Sequence, residues 1–231
     1  MTGIAAARDI AAREGWLSQT PPAFQKEILD RASLQSFSSG DTIYMVGAPP
    51  GGIYGMISGG VRLSAAAGDL GPFITHYFRP GSWLGEGPII TDRPRIIGLN
   101  AAKHTELLHV PLLSLRELLK SEPGFWRWLA LLAFEHERMA VAAIADLMIR
   151  DHVKRLVAVL LRLADARTAS PAGGGPIEVE ASQTDLATMA NIARTTANTT
   201  LRKLASAGHV KVAYGRIQVV NPASLRAMLV E

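Results

Sequence analysis

The sequence contains no cysteine. Disulfides, thiolate metal sites and cysteine-ligated iron-sulfur clusters are thereby excluded, and nothing marks an oxidising compartment. It also lacks any uninterrupted apolar run approaching the length of a membrane span. The N-terminal MTGIAAARDIAAREGW carries charges through its apolar part, where a signal peptide would have an unbroken core. These absences predict a cytoplasmic protein with no membrane partner. No close His-x-His pair with a following Glu occurs, since His76, His104 and His109 are scattered, and no G-x-S-x-G elbow appears. No metal ligand and no catalytic residue is therefore assigned, and the chain is not expected to be an enzyme. Haem would need a histidine such as His76 or His104 in an apolar pocket, whereas a lone histidine is more often solvated or hydrogen-bonded. Internal repeats of fixed period are missing too.

What the sequence does have is length for two ordinary domains, 231 residues, and enough hydrophobic residues, 48%, to build a core in each. Net charge is +4, and its distribution is uneven. Residues 151–231 hold ten Lys and Arg against six Asp and Glu, while 1–150 hold fourteen of each. The whole positive excess thus belongs to the C-terminal segment, as neutralisation of nucleic-acid phosphates would require.

That segment carries a device suited to reading DNA. Ser182 is a good N-cap and Asp185, three positions on, can return a bond to its amide, so a helix should start at Gln183 with Leu186, Met189 and Ala190 on one face. It stops at Asn191, the residue best able after glycine to turn through a left-handed conformation. A second helix from Arg194 to Ala205 turns Ala197, Leu201 and Leu204 inward, leaving Arg194, Thr195, Asn198, Thr199, Arg202 and Lys203 outward. Arg can hold guanine bidentately, Asn can do the same to adenine, and Thr offers a hydroxyl to phosphate or a methyl to thymine. Gly208 is a C-cap residue. Beyond it His209–Val212 and Arg216–Val220 alternate as two strands around Ala213, Tyr214 and Gly215, a hairpin wing with Lys211 and Arg216 at its edge.

Ahead of this device the pattern differs. Thr2–Glu14 and Pro22–Ala32 read as helices. From Phe37 to Pro111 short apolar pieces cut by glycine and proline predict a small antiparallel roll. Glu122 to Arg150 is rich in Ala, Leu and Met, and reads as one helix on the order of 40 Å long. It bears two apolar stripes: Phe134, Val141 and Met148 at seven-residue spacing with Ile144 between, and Phe125, Leu132 and Met139. A helix wet on one side needs only one. The second series is expected on the roll, and Phe134, Val141, Ile144 and Met148 against a twin helix of a second chain. Asp151 should cap a further helix whose Val153, Leu156, Val157, Leu160, Leu161 and Leu163 supply the core of the C-terminal domain. Ser170 to Pro176, with three consecutive glycines, reads as a flexible connection and no phosphate cradle, because neither Lys-Ser/Thr nor a helix start follows. The fold class is α+β.

Over residues 16–229 the chain resembles the cyclic-AMP receptor protein and fumarate-nitrate regulator (CRP/FNR) family of bacterial transcription regulators. The carriers are Gly40-Asp41, Gly47, Ser58-Gly59, PGSWLGE from Pro80 to Glu86, Asp151 with Arg155-Leu156, and Q-x-D-L-A-x-M-A-x-x-A-R-x-T from Gln183 to Thr196. The resemblance implies a cyclic-nucleotide-binding-like sensor roll with N-terminal helices over 1–121, a dimerisation helix over 122–150, and a winged helix-turn-helix over 151–231. It implies a homodimer on a double-stranded operator, two reading helices about 34 Å apart, and RNA polymerase as a further partner. DNA contacts fall on Ser182, Gln183, Thr184, Arg194, Thr195, Thr196, Asn198, Thr199, Lys203 and Arg216.

In the family's nucleotide binders a Gly-Glu pair holds the ribose hydroxyl and an Arg, followed by a small hydroxyl residue or Ala, holds the phosphate. Gly85-Glu86 and Arg95 stand at those places. The neighbours depart from the pattern: Ile96 and Ile97 follow Arg95, and Ala140 and Val141 stand where Thr or Ser would meet the base. Each absent partner leaves a ligand polar atom uncompensated, at about 1–3 kcal/mol. The effector of the roll is thus an unidentified small molecule with no certain cofactor. The alternatives are a regulator answering cyclic AMP or cyclic GMP through Glu86 and Arg95, or a structural ion pair between those two residues. The reading helix departs as well, with Thr195 and Thr199 where familiar members carry Glu and Arg, which predicts a different target site.

Overall fold

A computed structural model of the chain describes residues 2–68, 70–168 and 175–230. Of the expected flexible connection Ser170–Pro176, residues 170–174 lie outside the described residues. The chain divides into two compact units, Met1–Pro72 with Phe78–Glu137, and Phe73–Tyr77 with Arg138–Glu231.

In the first unit three helices, α1 (Ile4–Arg13), α2 (Gly15–Ser18) and α3 (Pro22–Asp30), precede the roll. Pro22 opens α3 where its missing N–H is not needed. The strands are β1 (Ser33–Phe37), β2 (Thr42–Tyr44), β3 (Gly52–Ser58), β4 (Val61–Ala67), β5 (Leu70–Phe78), β6 (Trp83–Leu84), β7 (Ile97–Ala101) and β8 (Thr105–Pro111), with a short helix α4 (Gly87–Thr91) before β7. They form two four-stranded sheets, ordered β1-β8-β3-β6 and β2-β7-β4-β5. The expected antiparallel roll is present.

After β8 come α5 (Leu112–Ser121), a 3₁₀ turn at Pro123–Phe125, and the long helix α6 (Trp126–Leu147). The helix anticipated over Glu122–Arg150 is shorter at both ends. Pro123 and Gly124 favour the tighter turn at its start, and Asp151 adopts extended backbone (φ −68°, ψ 119°) to cap the next helix, which forces a break before it. Trp16, Phe24, Ile28, Ile53, Trp83, Leu108, Leu118, Leu129 and Leu132 share one buried core. Its aromatic centre is edge-to-face, Trp16 lying 5.7 Å from both Phe24 and Trp83 and Phe24 5.0 Å from Phe125. Of the expected inner series, Leu132 lies in this core and Phe125 packs against it, while Met139 is not among its residues.

In the second unit Asp151 caps α7 (His152–Leu163), its carboxylate accepting from the amides of Val153 (2.8 Å) and Lys154 (2.9 Å). Residues 156–161 of α7 are all fully buried, so this is the central helix of the unit. Around it stand α8 (Gln183–Met189), α9 (Arg194–Ser206), α10 (Pro222–Val230), and a three-stranded sheet of β9 (Ile177–Val179), β10 (Val210–Ala213) and β11 (Arg216–Val219) in the order β10-β11-β9. Neither β9 nor α10 was expected from sequence. Arg155 ties the unit together: it donates to the carbonyls of Ile149 (2.6 Å), Ala190 (2.5 Å) and Asn191 (3.4 Å).

Phe73–Tyr77 is bonded into the same unit. The Tyr77 hydroxyl donates to Asp185 Oδ2 at 2.6 Å, and His76, one of the two histidines weighed for haem, has its Nδ1 3.2 Å from Arg162 Nη1. Among the described residues no helix is long and apolar enough to cross a membrane.

Candidate nucleic-acid interface

Local chemistry builds the reading device. Ser182 and Asp185 form the expected capping box, the Ser182 hydroxyl accepting from the Asp185 amide (3.1 Å) while the Asp185 carboxylate accepts from the Ser182 amide (3.3 Å). Asn191 takes the left-handed conformation (φ 49°), and its amide and that of Ile192 return to the carbonyls of Thr188 and Ala187. The chain is thereby aimed into α9, whose Ala197, Leu201 and Leu204 are buried. Gly208 (φ 77°) closes α9 in the same way, with bonds from Gly208 and His209 to Ala205 and Leu204. That conformation needs glycine or a residue such as Asn.

The opposite face of α9 presents Arg194, Thr195, Thr199, Arg202 and Lys203 to solvent, and Thr184 is exposed on α8. Ala193 caps α9 without a side-chain bond, so its first-turn amides and the positive end of its dipole remain available to an anion. Beside α9 runs a groove of about 520 Å³ lined by His152, Thr195, Thr196, Thr199, Lys203 and His209 among others. In the wing, Ala213 pairs with Arg216, so the turn is Tyr214-Gly215 rather than three residues. Lys211 and Tyr214 are exposed beside it.

Several expected contacts are altered by bonds made inside the protein. The Ser182 hydroxyl donates to Asp185 Oδ2 (2.6 Å) and has no proton left for a phosphate, which removes it as a hydroxyl donor to DNA. The Thr199 hydroxyl donates to the Thr195 carbonyl (3.0 Å), leaving its methyl for thymine. Asn198 is half-buried with its Oδ1 enclosed, so bidentate adenine contact requires the amide to turn. Gln183 and Thr196 are half-buried. Arg216 lies 3.6 Å from Glu178 with both side chains well exposed, a solvated pair that leaves the guanidinium open to competition from phosphate.

In the roll the two residues expected to anchor an effector, Glu86 and Arg95, are occupied by the chain itself. Arg95 is only 3% exposed; its guanidinium lies 3.7 Å over the Tyr44 ring and donates to the Gly52 carbonyl at 3.1 Å. Glu86 is buried and accepts from His136 Nδ1 at 2.7 Å. In place of the alternative ion pair between Glu86 and Arg95, each residue makes its own contact. Gly85 (φ 106°) lets the backbone pass close by: a Cβ there would stand 2.6 Å from the Gly52 carbonyl and 3.1 Å from Arg95 Nη1. Burial pushes the Tyr44 hydroxyl well above the phenol range, against the opposing charge of Arg95, so it stays neutral. Ala140 and Val141 are exposed on α6.

His136 and Tyr44 are functional candidates that sequence reasoning missed. The one signal for His136 was its place a helical turn before Ala140. On the same helix Phe134, Val141 and Ile144, with Met148 just past its end, stand in solvent in the single chain, the stripe assigned to a twin helix.

Two family descriptions match. The cyclic nucleotide-binding domain covers residues 34–122 and the Crp-like helix-turn-helix domain residues 154–228. A CRP-like cAMP-activated global transcriptional regulator of Mycobacterium tuberculosis is 22% identical over 204 residues, 88% of this chain and 91% of that one. Transcriptional regulator SdrP of Thermus thermophilus is 27% identical over 196 residues, covering 84% and 92%. Among solved structures FixK2 from Bradyrhizobium japonicum shares the fold with a TM-score of 0.69 at 20% identity, covering 85% of this chain and 96% of that one.

Proposed function

Because the chain belongs to the CRP/FNR family of DNA-binding transcription regulators, we propose that α9 reads the major groove of a two-fold operator, with paired copies of α6 setting the spacing. The observation that carries this reading is the division of α9 into a fully packed inner face and an outer face of exposed cations and hydroxyls. Arg194 is the guanine reader. Lys203, Arg216, Gln183 and Thr184 face phosphate, Thr195 and Thr196 lie at the uncapped helix start, and Thr199 offers its methyl to thymine.

The test is selection of a duplex from a random pool, followed by Arg194→Ala. The variant should bind the selected duplex more weakly by about 1–3 kcal/mol and sediment as the wild type does. Unchanged affinity would remove Arg194 from the readers.

The roll is the sensor in this proposal, and a small molecule is its unidentified input. A second reading, response to a cyclic nucleotide, has the matched domain description and the cAMP-activated relative in its favour. Against it stand Tyr44 on Arg95 and His136 on Glu86, since a nucleotide would have to displace both contacts. Calorimetric titration with cyclic AMP and cyclic GMP is therefore expected to give no binding heat at millimolar ligand. Saturable heat abolished by Arg95→Ala would establish the nucleotide reading instead.

A further inference from the structure

We propose that the His136–Glu86 contact is a proton-sensitive fastening of the long helix to the roll, which makes the regulator respond to pH at the place where the resemblance leads one to expect a nucleotide. The proposal rests on the DNA-binding reading above for its output, and on the contact's own geometry for its input.

His136 projects from α6, and Glu86 stands at the N-cap of α4 in the roll. Their side chains are 25% and 10% exposed, and Nδ1 donates to Oε1 at 2.7 Å. The Phe78 ring, from the end of β5, closes against the imidazole edge-on at 6.0 Å. The backbone of Trp83, in β6, faces the ring as a second acceptor, and Glu135 on α6 adds a further negative charge. Arg95, the other charged group at this site, is committed to Tyr44 and Gly52, so it leaves Glu86 to His136. Every polar group facing the ring is thus an acceptor or an anion. A neutral imidazole has one N–H to offer, whereas the imidazolium has two.

Burial by itself would push the His136 pKa down and is the largest single influence. The hydrogen bond and charge of Glu86, the charge of Glu135 and the Trp83 backbone together outweigh it and raise the value above its ordinary 6.5. A group whose folded value is raised strengthens the fold fully below its unfolded value. That strength is lost as pH rises through the folded value. The fastening is therefore complete below about pH 6.5 and is lost as pH rises through the raised folded-state value. Because α6 also carries the exposed stripe assigned to pairing, the fastened state is taken as the operator-binding one, and operator affinity rises as pH falls.

The experiment compares wild type with His136→Gln, which keeps a donor for Glu86 but does not titrate, and with Glu86→Gln, which removes the carboxylate. NMR titration of the wild-type imidazole should give a midpoint above 6.5 that drops in Glu86→Gln. Affinity for the selected duplex is read by fluorescence anisotropy between pH 6.0 and 8.5. The ratio of wild-type to His136→Gln affinity should be several-fold larger at pH 6.0 than at 8.5, up to about tenfold for each unit by which the pKa is raised. Taking the ratio cancels protonation of the other histidines near DNA. A flat ratio, or a midpoint at or below 6.5, overturns the proposal. If selection enriches no duplex at any pH, the DNA reading fails instead. The fastening is then judged by NMR and by whether wild type alone loses thermal stability from pH 6.0 to 8.5.

Discussion

Val141→Glu is expected to convert the protein from dimer to monomer and, with that, to abolish tight operator binding. In the single chain Val141 is 58% exposed, Ile144 and Phe134 61% and Met148 76%, an apolar stripe at coiled-coil spacing along α6 and just past its end. Such a stripe calls for a cover, and a two-fold twin supplies the same stripe in return. A glutamate at Val141 would enter that seam twice, once from each copy, setting like charges together. Burying an uncompensated charge costs several kcal/mol per ion, and each 1.4 kcal/mol is a tenfold change in dissociation constant. Dimer affinity should therefore fall by about a thousandfold or more. Analytical ultracentrifugation at micromolar protein reads the change directly. Since position 141 already faces water in the single chain, circular dichroism should report an unchanged fold. A monomer engages one half-site, so binding to the two-fold duplex falls with dimerisation. A Val141→Glu protein that still sediments as a dimer would take the stripe out of the interface.

Which parts of this molecule were legible in the sequence follows from how local their causes are. The capping box at Ser182 and Asp185, the left-handed Asn191 and the closing Gly208 each act within a few residues. The helix-turn-helix could therefore be read almost to its boundaries. The two stripes of α6 were legible for a similar reason, since a seven-residue repeat survives whatever the helix packs against. By contrast β1 finds its partner in β8, far along the chain, and β9, only three residues long, cannot display a period of two.

The roll site was the least legible. Tyr44, Glu86, Arg95 and His136 come from four separate segments. The resemblance pointed to two of them, Glu86 and Arg95, but gave no sign of what already sits on each. Ser182 is a different case: residue type and position both suit a phosphate contact, and the sequence does not tell that its single proton goes to Asp185.

Asp146→Ala should be among the most destabilising single changes outside the apolar cores. Asp146 is 2% exposed near the end of α6, where its carboxylate accepts from Arg162 Nε at 2.9 Å and lies 3.2 Å from Arg167 Nη2. Arg162, itself 9% exposed, also reaches His76. Removing the one carboxylate leaves a buried guanidinium without its counter-charge, at a cost of about 3–5 kcal/mol. Arg167 is about a third exposed and adds less, because water can replace its partner. For a chain of this size the melting midpoint should fall on the order of 10 °C. The mechanism has its own control. Asp146→Ala combined with Arg162→Met removes the stranded charge along with its partner and should recover much of the loss. If the double variant melts no higher than Asp146→Ala, the carboxylate acts by some route other than neutralising Arg162. Asp146 stands one turn ahead of Met148–Arg150, the link between α6 and α7, and Arg155 holds the same link through the Ile149 carbonyl. Two arginines of α7 thus hold the end of α6 and the link that follows it.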